Sequence, residues 1–580
     1  MKILTDTGLV AFWNKIKQLI LGNRPYNPSE FSGKGYKVLE KNIQTVDGVK
    51  KNILTAVMLS EANTIYEIRY DFDLNGETIE IQEGCTLKFC GGSLKNGTLT
   101  FTNTEIIGTK NIFDKCYFGG DIIGNEVCIS WFGINCKPGY DDALIINNII
   151  QICDKNCVTI IFDHWADMYI SKPFNGVIQE GYDKNFNNIN CGKHTHIIQK
   201  SLFWIILQGP SKFGAVIRAE SGSNCKVENL LVDANNISHV YYGENGIAGV
   251  RYVKNCHIKN CRIGDKEEST LDGSVYPNWG YGGKGIQCEL NNLEMTVENS
   301  LIENCKFGIF CTNQYTDSAQ KGIVYKINKC NVINCAIAFM GVNLKSTISS
   351  TGDMYNRISV TNCIFDRTTG TDGVICLAAL NYVLFSNIFI TGSNTANSLF
   401  RGCTSKSTFR DIEINQPSST IFDFSSPKDN PEVEDIVDVS FDFRIYKTFE
   451  YLFKNTENVI THYGKYKNNV QYARFKIYSL LVPTNSTLEI YNSNVSITNT
   501  YVDILLNDYF FRGNFGDLQR ASLNKLTALA SIGYLCVGDT SKRPTFLNGG
   551  SSGYCYFDTT LNKPIYWTGT KWVDATGTDV

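Results

Sequence analysis

The chain has 580 residues, and 43% hydrophobic against 19% charged residues describe an ordered protein rather than a disordered one. A net charge of −3 without a long basic or acidic run argues against nucleic acid as a main partner. No window approaches the ~18 consecutive apolar residues of a membrane span, and 30 Tyr, 33 Phe and 49 Gly against 12 Pro suit a strand-rich chain with many turns.

Near the start, Leu9, Phe12, Trp13, Ile16, Leu19 and Ile20 fall on one helical face. Thr5 or Asp6 can cap this helix, and Gly22-Asn23 followed by Pro25 ends it. The apolar runs Leu9 to Trp13 and Leu19-Ile20-Leu21 are too short for a signal peptide. Residues 1–24 therefore read as an amphipathic docking helix, with packing back onto the same chain as the alternative. Residues 25–128 are β-rich. Tyr66 to Leu74 alternates polar and apolar residues, Asn75-Gly76 is a tight-turn dipeptide, and Thr78–Gln82, Cys85–Phe89 and Gly91–Leu99 keep a short-strand, Gly-turn rhythm. Both a first solenoid segment and a separate β domain fit this region.

From Val227 to Ile414 one pattern keeps returning. It reads Val227-Glu228-Asn229-Leu230-Leu231-Val232, and comes back starting at Val253, Val297, Ile327, Val360, Phe385 and Phe409, at intervals of 26, 44, 30, 33, 25 and 24 residues. Self-similarity at this period marks a solenoid, whose units bury their apolar faces only against neighbours. Period-2 alternation makes the units strands. Echoes such as Asn260-Cys261, Asn304-Cys305 and Asn334-Cys335 supply a second strand per coil. The expected fold is mainly β: a right-handed parallel β-helix with an N-terminal amphipathic helix and C-terminal antiparallel β domains. The 21 cysteines are odd in number, and many occupy one small slot of the repeat (Cys256, Cys330 and Cys363; Cys261, Cys305 and Cys335). They read as buried thiols made in a reducing cytoplasm rather than as a disulfide framework. No zinc-type spacing occurs, so no metal and no cofactor is expected.

Trp131-Phe132-Gly133, Asp141-Asp142-Ala143, the apolar helix with Leu144, Ile145, Ile146, Ile149 and Ile150, and the strand Val158–Phe162 resemble the opening of pectate-lyase-like β-helix proteins. The resemblance covers roughly residues 129–420 and implies a helix that caps the first coil. The usual Gly-Asp-Gly is replaced by Cys136-Lys137-Pro138-Gly139, and the usual Pro-rich turn by Asp163 to Asp167, which weakens any transfer of activity. Both termini carry a second resemblance. Leu4 to Leu9, Pro25 to Leu39, Tyr66 to Gly76, Tyr556 to Trp567 and Gly569 to Val573 are similar to tail spikes and fibres of Bacteroides-infecting, crAss-like phages. This implies a virion protein made in the host cytoplasm, a homotrimer attached through its N-terminus to other tail proteins, and bacterial surface polysaccharide as its target.

The 44-residue interval carries an insertion, Gly264 to Tyr281. Inserts on repeat proteins tend to sit on the binding face. Tyr276, Trp279 and Tyr281 offer ring faces for stacking on sugar, and Asp265, Glu268 and Asp272 offer carboxylates, with Asp233 on the preceding coil. A glycan-binding site with these four acids as catalytic candidates is one reading; an acidic surface loop with its aromatics packed on the solenoid is the other. If the site is active, the chemistry is glycoside hydrolysis or polysaccharide lysis. Asp163 with Asp167, and Asp317, are weaker candidates; His194 and His196 lack a third metal ligand, and Gly280 to Gly285 matches GxGxxG without its strand-to-helix context.

Pro417, Pro427 and Pro431 mark a boundary, giving domains at 1–24, 25–128, 129–425, 426–515 (antiparallel β) and 516–580 (β tip or trimerisation region). Leu518 to Ile532 could form a short helix. The leading function is a tail spike or fibre that binds surface glycan; a purely structural tail component and a cellular polysaccharide lyase or hydrolase are the alternatives.

Overall fold

The computed structural model describes residues 33–170 continuously, the strands and some of the corners between 189 and 514, and residues 536–543 and 554–580. The expected helices within residues 1–24 and over Leu518 to Ile532 lie outside the described residues. The chain divides into two compact units, Met1–Ile134 with Asn148–Asp163, and Asn135–Asn147 with His164–Val580.

In the first unit, Gly35–Val38, Thr64–Ile68, Thr86–Phe89 and the end of Leu94–Ile107 pair in parallel, one after another, and Phe113–Ile123 adds in parallel to Leu94–Ile107. This β-rich region is thus itself built from parallel coils. The Asn75-Gly76 turn does not make a hairpin: Phe72–Asp73 and Thr78–Glu80 on either side of it both pair in parallel with Leu94–Ile107. A hairpin does form between Ile43–Val46 and Val49–Asn52, turning on Asp47 and Gly48 at φ 50° and 77°. Phe113 packs against Phe118 and Phe132 at 5.0 and 5.3 Å between ring centroids, at the centre of this unit's core.

The second unit is a parallel β-helix, and its local logic can be read from the recurring hexad. In Val227–Val232 the hexad spans two strands, Lys226–Glu228 and Leu231–Asp233, with Asn229 between them. The third hexad position takes positive φ in each described copy: 64° at Asn229, 49° at Asn299, 55° at Lys329, Asn362 and Asn387, and 54° at Asp411. Asn and Asp tolerate this left-handed conformation better than other residues with a Cβ, which explains the preference. The next residue points inward and must be small or apolar: Leu230, Ser300, Cys330, Cys363, Ile388 and Ile412 are all buried. Cysteine and serine also satisfy the backbone there. Ser300 Oγ donates to the Glu298 carbonyl at 2.9 Å, Cys330 Sγ to that of Asn328 at 3.4 Å and Cys363 Sγ to that of Thr361 at 3.2 Å.

The Asn-Cys echoes build a second corner of the same kind. Asn304 and Asn334 have φ 54°, and Cys305 and Cys335 donate to the Glu303 and Ile333 carbonyls at 3.1 and 3.4 Å. Each opens a third strand, such as Phe307–Asn313 and Ile337–Asn343. A coil therefore has three strands where the repeat suggested two, because the hexad already contains a corner. Amide ladders run along the corners, with Asn362 Nδ2 donating to Asn328 Oδ1 and Asn387 Nδ2 to Asn362 Oδ1, both at 2.8 Å. The described cysteines are free thiols.

The antiparallel domain expected over 426–515 is corrected. Thr408–Asn415, Ser440–Ile445, Arg474–Ser479 and Tyr501–Leu506 pair in parallel in succession, and only the final partner, Tyr509–Asn514, runs antiparallel. The core continues with them: Phe385, Phe409, Phe441 and Phe475 stack face to face at 5.2, 4.8 and 4.9 Å. That spacing matches the ~4.8 Å between strands. The described strands of the C-terminal tip are Cys536–Gly538, Tyr554–Asp558, Lys563–Trp567 and Trp572–Asp574, the last three forming an antiparallel meander. Asp558 is fully buried there. It accepts from Arg543 Nε at 2.6 Å, the Thr540 hydroxyl at 2.9 Å and the Thr560 and Leu561 N–H groups at 2.9 and 3.0 Å.

Three outcomes follow from this packing. Asn362→Ala and Asn362→Gly both lose the amide ladder, but only alanine bears the left-handed Cβ penalty, so denaturant unfolding should place alanine about 1–2 kcal/mol below glycine. In native protein a maleimide should label the exposed Cys90 and Cys157 before the buried Cys116, Cys305, Cys330, Cys335 and Cys363, which should react only on unfolding; burial pushes the Cys116 thiol up to about 12. Burial opposes ionisation of Asp558, yet the Leu561 N–H, Arg543 and Thr540 together hold its carboxyl below the ordinary range. A depressed carboxyl contributes stability above its unfolded pKa of about 4 and loses it as pH falls through the folded value. The melting-temperature gap between wild type and Asp558→Asn should therefore be full at pH 7 and shrink below about pH 4.

Candidate functional site

On a parallel coil, residues in register stand in columns, and the inward column alternates with an outward one. Val232 and Ile302 are fully buried, inward residues. Their C-terminal neighbours Asp233 and Glu303 therefore point outward, yet both are buried, with exposures of 6% and 9%. The ladder places Asp233 opposite Gly264 and Gly264 opposite Glu303. Two carboxylates thus sit two coils apart in one outward column, with a residue lacking a side chain between them. At ~4.8 Å per strand their Cα atoms are about 10 Å apart. Inverting glycosidases hold their two carboxyls roughly 6.5–9.5 Å apart, a gap this column can bridge by side-chain reach.

Each of these positions ends a strand at the second corner, and the corners differ greatly in length. Three residues separate Glu303 from Phe307, and three separate Ile333 from Ile337. By contrast, 13 separate Asp233 from the next strand, Ile247–Val250, and 19 separate Gly264 from Lys284–Glu289. Two long connections therefore begin at the same corner on consecutive coils. The tight corner beside them carries buried polar groups: Asn304 and Lys306 are 7% and 9% exposed, and the Lys306 ammonium lies 5.6 Å from the Phe307 ring centroid. An outward column of buried carboxylates with a buried lysine nearby can bind sugar hydroxyls and can supply acid and base.

Among the sequence-derived candidates, Asp233 is placed in this column. Asp265, Glu268, Asp272, Tyr276, Trp279 and Tyr281 lie outside the described residues, as does Asp317. Glu303, Lys306 and the second insertion, residues 234–246, were not singled out by the sequence. The 26-residue hexad interval concealed that insertion, since an interval measures total coil length without saying which corner holds the extra residues. Glu303 ends a short strand like any other, and only its register with Asp233 distinguishes it.

Other polar groups have structural roles. Asp163 accepts from the Ser130 N–H and hydroxyl at 3.0 and 2.6 Å, and Asp167 from the Trp204 N–H at 2.8 Å. His196 Nε2 meets Glu228 at 3.1 Å, and among the described residues no cluster of His, Cys, Asp and Glu could hold a metal. In the first unit, buried Glu67 receives the Tyr36 hydroxyl and lies 2.5 Å from Arg69 and 3.6 Å from Lys88. Burial and the Glu67 carboxylate push Tyr36 up to about 12, which makes it a neutral donor rather than a nucleophile.

Neither protein-family models nor curated proteins match this chain. Among solved structures, the chain is similar to tailspike protein 3 of bacteriophage CBA120, with 11% identity and a TM-score of 0.27 over 78% of this chain and 70% of that one. It is similar to the gp42 tailspike of Acinetobacter phage vb_AbaP_AS12, with 11% identity and a TM-score of 0.36 over 78% and 77%. The A-module of the mannuronan C-5 epimerase AlgE6 of Azotobacter vinelandii gives 8% identity and a TM-score of 0.27 over 65% and 99%.

Proposed function

We propose that this chain is a phage tail spike or fibre, acting as a homotrimer attached to the tail through its N-terminus, that recognises its bacterial host by binding surface polysaccharide. The observation that carries this reading is the outward column Asp233–Gly264–Glu303 at the root of two neighbouring insertions. The tail assignment draws on the resemblance of both termini to phage tail proteins. The inserts bring the residues a glycan site needs: Tyr241, Tyr242 and Glu244 on one, Tyr276, Trp279 and Tyr281 with Asp265, Glu268 and Asp272 on the other. Aromatic faces stack on the C–H face of a sugar ring, while carboxylates accept from its hydroxyls.

The chemistry the column supports, beyond binding, is glycoside hydrolysis, with one of Asp233 and Glu303 as acid and the other activating water. Incubating purified protein with host capsular polysaccharide separates the readings, by measuring both retention and release of new reducing ends. Deleting residues 265–281 should reduce retention at least tenfold. Asp233→Asn and Glu303→Gln should each lower release at least a hundredfold while the protein keeps its melting temperature. Retention without release rejects the hydrolase and leaves a binding protein. Neither retention nor release would favour a purely structural tail component.

A further inference from the structure

The outward face that carries Asp233 and Glu303 continues along the later coils. From Glu303 the ladder takes the same column through Ile333, Asp366, Thr391 and Asn415. Two residues earlier on these strands a second column runs through Leu301, Asn331, Ile364, Phe389 and Glu413. Their orientation follows from the residues between them. Phe365, Ile390 and Ile414 are fully buried in the core, so Ile364 and Asp366, Phe389 and Thr391, and Glu413 and Asn415 stand on the opposite, outer face.

The two columns differ in chemistry. The first presents Ile364, 38% exposed, next to half-buried Phe389. The second presents hydrogen-bonding groups beside them. Most outward polar groups of these coils are tied to one another: Arg410 Nε donates to Ser386 Oγ at 2.9 Å, Arg444 to Glu413 at 3.2 Å and Lys476 to Asp442 at 2.8 Å, while Asp366 lies 3.5 Å from Arg367. The Thr391 hydroxyl and the Asn415 amide, both half-buried, make no such bond among the described residues. On the next coil Tyr446, whose N–H donates to the Ile414 carbonyl at 2.8 Å, adds a ring that is 40% exposed.

This pattern suits a sugar chain better than a protein partner. Ile364 and Tyr446 each leave on the order of 80 Å² of side chain open, whereas a stable protein interface buries roughly 800 Å² per partner. A sugar ring is apolar on its C–H face and polar at its edge, so it needs only a narrow apolar floor with donors and acceptors alongside. The four coil steps from Glu303 to Asn415 span about 19 Å at ~4.8 Å per strand, which is longer than any single ring.

We infer that this strip is a polymer-binding extension of the candidate site, and the inference rests on the glycan-binding reading above. The polysaccharide chain that passes the carboxylates continues along the solenoid axis over Ile364 and Phe389. Its hydroxyls exchange hydrogen bonds with Thr391 and Asn415. The protein therefore recognises an internal stretch of polymer rather than a chain end, and binding strengthens with chain length.

Retention of host capsular polysaccharide, cut by partial acid hydrolysis and fractionated by size, tests this on the full chain. Long fragments should be retained at least tenfold more strongly than single repeat units. Phe389→Ala, which removes the floor, and Thr391→Trp, which fills the strip, should each reduce long-fragment retention at least fivefold at an unchanged melting temperature. Ser359→Trp, outward on the same coil but before the Asn362 corner, should leave retention unchanged. Retention by the wild type that neither Phe389→Ala nor Thr391→Trp weakens, or that is equal for long and single-repeat fragments, overturns this inference and leaves the polysaccharide reading standing. A lower assembly mass of Phe389→Ala in sedimentation also overturns it, by making the strip a contact between copies of the chain. No retention of any fragment by the wild type overturns both.

Discussion

The left-handed corner is the constraint on which the rest of the second unit depends. A single residue at positive φ bends the coil between two strands, and the hexad supplies that residue at Asn229, Asn299, Asn362 and Asn387. The bend turns the following side chain inward, where a small or apolar residue fits, such as Ser300, Cys330, Cys363 or Ile388. Because Cys330 and Cys363 donate to the carbonyl two residues earlier, the corner loses little backbone hydrogen bonding. Each corner then stacks on the next through ladder bonds such as Lys329 N–H to the Thr361 carbonyl at 3.0 Å and Asn299 N–H to that of Asn328 at 3.1 Å.

Such a scaffold fixes orientation more tightly than it fixes length. Inward and outward columns cannot slip past one another without moving every apolar residue from core to solvent. Corners, however, can lengthen freely, since the strands on either side remain in register. The coils around Asp233, Gly264 and Glu303 show both properties. Their strands hold strict pairing, while the connections that follow them contain 13, 19 and 3 residues. A rigid outward carboxylate column is thereby set beside chain that can vary in sequence without cost to the fold, a suitable division of labour for recognition.

The hexad was legible because its requirements are local: alternation, a left-handed residue and a small or apolar inward one can all be seen in six letters. The continuation beyond Ile414 was not. In the coil with Ser440–Ile445 the corner disappears into one uninterrupted strand, and the register shifts between Phe409 and Ile412. What remains, Phe441-Asp442-Phe443, is plain alternation, which is the same for parallel and antiparallel pairing. Only the stack of Phe409, Phe441 and Phe475 reveals the common axis, and a stack is a relation between coils rather than within one. The candidate site divides in the same way. Asp233 could be singled out as the acid ending an apolar strand, but Glu303 gained meaning only from a partner 70 residues away.

Hydrogen–deuterium exchange, comparing free protein with protein saturated by host capsule fragments, tests the central claim most directly: that the lengthened corners and their outward carboxylates receive the glycan. The account expects slower exchange in peptides spanning 231–250, 262–289 and 301–308, with strands on the opposite side of the coil unchanged. Uniform exchange across those three peptides, or protection confined to coils that lack the inserts, would contradict it.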